Sequence, residues 1–143
     1  MKKTLLTLSV IWSVDSFGQC TNCSSFEEAL KEPENVKTLK MNPWQHKITL
    51  DSLPPAIGKF VNVETIHLTG HNFEAIPKEI GNLKNLRELS FAECKLKELP
   101  DEIFLLENLR EIILLNNEFP EEYKRELKTR FKQELPKTKL VIN

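Results

Sequence analysis

Leu53, Ile76 and Leu99 recur at one constant interval; each is followed directly by Pro and, four positions on, by Ile57, Ile80 and Ile103. The same frame carries Phe60, Leu83 and Leu106, then Val63, Leu86 and Leu109, then Ile66, Leu89 and Ile112. Leu68, Phe91 and Leu114 follow, and Phe73, Leu96 and Phe119 close the units. Eight columns in phase over three units point to one architecture, a stacked solenoid. A unit this thin cannot hide its own apolar side and must lean on its neighbours.

Within a unit the local period changes. Val63-x-x-Ile66-x-Leu68 ends in the period-two alternation of a short strand. Leu53-Pro54-Pro55-x-Ile57 reads as a tight 3₁₀ or irregular turn, with Pro fixing φ in the range such a turn needs. One strand and one turn per unit, stacked in parallel, predict an α/β slab with strands on its concave face and turns on its convex face. Parallel strands about 4.8 Å apart place equivalent side chains of adjacent units in contact.

These units resemble leucine-rich repeats of the 23-residue class with a Leu-Pro-x-x-Ile-Gly opening. The segment Ile76-Pro77-Lys78-Glu79-Ile80-Gly81-Asn82-Leu83-Lys84-Asn85-Leu86-Arg87-Glu88-Leu89 carries the pattern best. The resemblance spans residues 36–119 and implies a short horseshoe scaffold that binds a protein or another ligand on its concave face. It implies no catalytic chemistry.

The flanks read as caps. In residues 19–35, Ser25-Phe26-Glu27-Glu28 is a capping box opening a brief helix that Pro33 stops, with Phe26, Ala29 and Leu30 on one face. The first strand is Val36-x-x-Leu39-x-Met41, and its unit carries four extra residues around Pro43-Trp44-Gln45-His46. In residues 120–143, Pro120 to Glu134 reads as a charged helix with Tyr123, Leu127 and Phe131 on one face, and Lys139 to Asn143 as a last strand. Such caps cover apolar core and strand edges that an open solenoid exposes.

Residues 1–18 read as a secretory leader. Met1-Lys2-Lys3 is basic, Thr4 to Val14 is an 11-residue run without charge, and Ser16 and Gly18 are small residues three and one before a cut after Gly18. The run is shorter than the roughly 20 residues a spanning helix needs, so no membrane span is expected in the mature chain. A lipid anchor on Cys20 is the weaker alternative, because Gln19 stands where such signals want a small residue. Export predicts a secreted, periplasmic or cell-surface protein.

Of 143 residues, 40% are apolar and 29% charged, with a net charge of −1 and 4 Gly. That balance offers no general attraction for nucleic acid, and no Gly-rich phosphate loop or basic-aromatic stripe is present. No cofactor is called for.

Two features could carry chemistry. The inward polar column, which in such repeats normally holds Asn, here holds His71, Cys94 and Asn117. Cys94 beside His71 raises the idea of an activated thiolate, but no third residue is available to orient the His, and a structural ladder is the stronger reading. Cys20 and Cys23 form a C-x-x-C outside any βαβ unit. They read as a local disulfide formed after export, or as free thiols flanking the cap. A zinc site lacks two further ligands, so no metal is expected.

Recognition is expected on the outward strand positions. One column holds Lys40, His67, Ser90 and Ile113; beside it run Asn42, Thr69, Ala92 and Leu115, and on the other flank Thr38, Thr65, Glu88 and Glu111. The face grades from polar to apolar, with Val141 adding to the apolar end. Phe104 and Leu105 replace Gly58-Lys59 and Gly81-Asn82 on the convex side, one to tuck in and the other to stay exposed. The leading reading is an exported, non-catalytic scaffold for a protein partner or a surface glycan. The alternatives are a thiol-active protein or enzyme using Cys94/His71 or Cys20/Cys23, and a self-associating module that stacks as a homodimer.

Overall fold

The computed structural model describes residues 20–47 and 49–143. The leader read at residues 1–18 lies outside them. Six parallel strands form one sheet in chain order: β1 (Asn22–Cys23), β2 (Thr38–Met41), β3 (Thr65–Leu68), β4 (Glu88–Ser90), β5 (Glu111–Ile113) and β6 (Lys139–Val141). The register follows the repeat frame. Leu39 pairs with Ile66, Ile66 with Leu89, Leu89 with Ile112 and Ile112 with Leu140.

Opposite the sheet lie 3₁₀ turns at Pro55–Lys59, Lys78–Asn82 and Asp101–Leu105. Each is entered through a proline, Pro54, Pro77 or Pro100, held at φ −72°, −69° and −68°. The turns bury Ile57, Ile80 and Ile103 completely, against a single core that includes Phe60, Phe73 and Phe91 from the intervening positions.

The turns stack so tightly that glycine is required where one unit sits on the next. A Cβ on Gly58 would lie 2.8 Å from the Glu79 Cβ and 3.0 Å from the Glu79 carbonyl oxygen. One on Gly81 would meet Glu102 at the same two distances. The equivalent residue of the last unit is Phe104, and there no further turn follows. Its ring instead packs on Phe131 at 5.1 Å, with the Arg130 guanidinium 4.1 Å over its face. Leu105 beside it stays 51% exposed, which resolves the pair as one packed and one free side chain.

Both ends are capped. The Ser25 hydroxyl accepts from the Glu28 amide at 3.1 Å and starts α1 (Phe26–Ala29), which buries Ala29 and sets Phe26 against Phe60 at 5.4 Å. The N-terminal cap also contains a strand that the hydrophobic pattern did not reveal. Asn22 and Cys23 pair with Thr38 and Leu39, and two residues are too few to show an alternation. The four-residue insertion forms a helical turn, α2 (Pro43–His46). At the other end α3 (Glu121–Glu134) buries Leu127 and Phe131, while the Tyr123 hydroxyl accepts from the Leu99 amide at 2.8 Å. Among the described residues no helix is long and apolar enough to cross a membrane.

A second asparagine column ties the repeats together on the outside and went unread in the sequence. Asn62, Asn85 and Asn108, in phase with the repeat, donate side-chain N–H groups to the carbonyls of Glu34, Val61 and Lys84 at 2.9, 3.0 and 2.8 Å.

Replacing Gly81 with Ala forces a methyl against the Glu102 backbone, so overpacking is expected to cost about 1–3 kcal/mol. Urea denaturation measures it. A midpoint equal to that of the parent would mean that the turns are not in the close contact described.

Candidate functional site

The outward side chains of the sheet form rows set by backbone pairing. Lys40 faces His67, His67 faces Ser90, Ser90 faces Ile113 and Ile113 faces Val141. On one flank Thr65, Glu88, Glu111 and Lys139 are likewise aligned. Because each strand is held by its neighbours, these side chains are displayed on a preset surface that gives up little conformational freedom on binding.

The rows are not uniformly accessible. Lys40 and Glu88 are exposed; His67, Glu111, Ile113 and Val141 are half-buried, as are Thr69 and Leu115, which lie in the turns just after β3 and β5 and not, as expected, on the strands. Ser90 departs from the expectation of an open contact position. It is 5% exposed, with its hydroxyl 3.3 Å from that of Thr69. Its short side chain sits below the level of longer neighbours and serves the face from within.

Opposite charges meet along this flank, although Glu88 and Glu111 are themselves register partners. Glu64 lies between Lys37 at 3.6 Å and Arg87 at 3.3 Å, and Glu111 meets Lys139 at 2.6 Å. All these partners are substantially exposed, so the pairs add little to stability and serve mainly to set the pattern of charge. His67 Nε2 lies 3.7 Å from a Glu88 oxygen. Burial and the nearby Lys40 ammonium nevertheless push the His67 pKa below its ordinary value, against the pull of Glu88 and Glu111.

At the first end of the face, Lys40, Met41, Asn42, Trp44, His67 and Thr69 enclose an open depression of about 360 Å³. Trp44 is 67% exposed, the most exposed large apolar side chain among the described residues. The sequence reading placed it in an insertion but gave it no role. What could have flagged it is the combination of an inserted aromatic with the glycine described below.

Behind the sheet, His71, Cys94 and Asn117 take one inward column. Asn117 accepts from the Leu96 amide at 3.0 Å and donates to the carbonyls of Phe91 and Leu114 at 2.8 and 3.0 Å. His71 copies half of this: Nδ1 accepts from the Leu50 amide at 3.2 Å. Its Nε2 is buried with no partner in hydrogen-bond geometry, although the Met41 carbonyl lies near enough to favour a proton there. Burial outweighs that carbonyl and lowers the His71 pKa. The Cys94 thiol donates to the Leu68 carbonyl at 3.4 Å, and burial pushes its pKa up. An attacking cysteine needs the opposite shift, so this column holds backbone together and has no poised nucleophile.

Cys20 and Cys23 are joined in a disulfide with Cα atoms 5.3 Å apart. Cys23 is buried under the first repeat, and the bridge anchors the two-residue strand that begins the sheet. Among the described residues, no group of three or more His, Cys, Asp or Glu side chains is placed to hold a metal ion.

One strand and one 3₁₀ turn per repeat unit, with a parallel sheet in chain order, define a repeat solenoid. The sequence matches no protein-family model and no curated protein. Among solved structures, the chain is similar to a leucine-rich repeat protein of Leptospira interrogans. They share 30% identity at a TM-score of 0.56, over 73% of this chain and 24% of that one. An internalin of Listeria monocytogenes shares the fold at a TM-score of 0.55 and 9% identity, over 85% of this chain and 34% of that one. The chain thus spans about a quarter of the first protein and a third of the second. With this repeat frame, sheet and likeness, the chain is a leucine-rich repeat protein. Such scaffolds are generally non-catalytic and typically bind proteins.

The lowered His71 pKa has a defined consequence for stability. The unfolded chain takes up a proton near pH 6.5 that the folded chain refuses, so stability falls as pH drops through that value. His71→Asn restores the amide that Asn117 uses. It is expected to raise stability by about 1 kcal/mol and to narrow the difference between pH 7.5 and pH 5.5. Urea melts at the two pH values test this; an unchanged difference would sink it.

Proposed function

We propose that this protein is an exported, non-catalytic recognition module that holds a protein partner against its concave sheet face. The observation that supports it most is the apolar end of that face, where half-exposed Ile113 and Val141 are paired on β5 and β6 and half-exposed Leu115 follows in the turn after β5. Burying such a patch supplies a non-directional gain of about 25 cal/mol per Å². The flanking Glu88 and Glu111, with Lys40 and His67 at the far end, add the charged and polar groups that select among partners.

Export fits the leader at residues 1–18 and the disulfide between Cys20 and Cys23, a bond that persists in oxidising compartments. Protein recovered from outside the cytoplasm is expected to begin at Gln19. N-terminal sequencing reads this directly, and an intact Met1 would refute export through this leader.

Leu115→Glu places a charge in the apolar patch without entering the core. Full-length chain is expected to retain its thermal melt and to lose at least about tenfold in affinity for its partner. Calorimetric titration of the partner into parent and variant measures the difference. Equal affinities with both chains folded would remove this patch from the interface.

A further inference from the structure

The backbone repeats one unusual conformation, and one of its four positions behaves differently from the rest. Lys47, Gly70, Glu93 and Asn116, spaced at the repeat interval, all have positive φ, at 53°, 81°, 57° and 56°. Three of the four accept the strain of a side chain there. The turn itself therefore does not demand glycine at position 70. The neighbour does: a Cβ on Gly70 would lie 3.0 Å from Trp44 Cη2, 3.4 Å from Trp44 Cζ2 and 3.4 Å from Pro43 Cδ. Gly70 is the seat of the indole.

The insertion that forms α2 and the glycine one repeat later thus act together to fix a tryptophan at the rim of the sheet and to leave it 67% exposed. Burial gives this side chain little stabilising work. Beside it is the depression of about 360 Å³, in the size range of small-molecule sites. Four hydrogen-bonding side chains line it, Lys40, Asn42, His67 and Thr69. Lys40 has no carboxylate within ion-pair distance among the described residues, whereas Glu88 is engaged on the far side of His67 and does not line the depression.

We propose that Trp44, Lys40, His67 and Thr69 form a subsite for an acidic saccharide, with a sugar ring stacked on the indole and its carboxylate at the Lys40 ammonium. A pyranose has a C–H face that packs on an aromatic ring and a rim of hydroxyls that needs donors and acceptors together. His67, whose neutral ring is favoured by burial and Lys40, offers both in that form, as does the Thr69 hydroxyl. A protein surface asks for a broad contact of about 800 Å² per partner. This depression is narrow, and the apolar patch at Leu115 lies at the other end of the face. The subsite therefore stands or falls separately from the proposed protein contact.

The full chain contains two tryptophans, Trp12 and Trp44, so Trp12→Phe leaves Trp44 as the only indole. Titrating this chain with trigalacturonate is expected to change Trp44 fluorescence saturably, with neutral galactotriose binding about tenfold more weakly. By calorimetry, Lys40→Gln is expected to abolish the preference for the acid. Trp44→Ala is expected to abolish binding while leaving the urea midpoint nearly unchanged. Gly70→Ala, which unseats the indole, is expected to weaken binding. Absence of saturable binding by either saccharide, or binding that survives Trp44→Ala, would overturn the proposal. So would a Trp44→Ala chain that loses stability, which would make the indole a structural prop, or a Glu-rich peptide that binds where the saccharides do not.

Discussion

Everything in this molecule depends on burial between units. Leu39, Ile66, Leu89 and Ile112 form one apolar row across four strands, each at most 1% exposed, and none of them is covered by its own repeat alone. The gain comes from the interface between consecutive strands and consecutive turns, so stability is cooperative along the stack. The same constraint dictates the covalent details. Glycine is needed at positions 58 and 81 because another turn lies on them, and Phe104 is allowed at the equivalent place because α3, not a turn, comes next. An array with so few units has a large share of its core at its ends. The disulfide-anchored strand and α3 with β6 cover those ends, and they do so with side chains outside the repeat frame.

The fold was legible because its signal is periodic. A constant spacing determines which residues share a row, and the observed pairings of Lys40 with His67, Ser90 with Ile113 and Glu88 with Glu111 follow from it. Elements outside the period were harder to read. β1 is two residues long and carries no alternation, so only its pairing with β2 reveals it. Asn62, Asn85 and Asn108 were in phase and visible. Their role was hidden because an exposed asparagine has no hydrophobic signature, and its value lies in a carbonyl of the preceding unit.

The rows of the face were legible in register, but neither their accessibility nor their extent was: Thr69 and Leu115 fall in the turns after β3 and β5. Alternation correctly places Ser90 on the outward row, yet its hydroxyl ends below the neighbouring side chains. Side-chain length decides exposure on a sheet face, and a column of residue types shows only direction. The inward column shows the complementary effect. His71, Cys94 and Asn117 occupy the same place, but just one of them is an amide with both a donor and an acceptor in the required geometry. The Cys94 thiol can donate once, and the His71 ring leaves Nε2 without a well-aligned acceptor. The ladder is therefore weakest at the two positions that most resembled a catalytic pair.

A periodic chain constrains nearly every residue to serve the stack, so departures from the period are where anything specific to this protein must be found. Four stand out: the Pro43–His46 insertion, glycine in place of a tolerated side chain at position 70, Phe104-Leu105 on the convex turn, and the mixed inward column. Phe104 is accounted for by end-capping against Phe131, and the inward column by backbone hydrogen bonding. The insertion and Gly70 have no comparable structural return, because together they hold a large ring mostly in water. Desolvating an indole in a later encounter recovers free energy that folding leaves unused. A side chain fixed in advance also loses less entropy when a ligand settles on it. That asymmetry is what the proposed saccharide subsite at the polar end rests on, apart from the protein contact proposed for the apolar end.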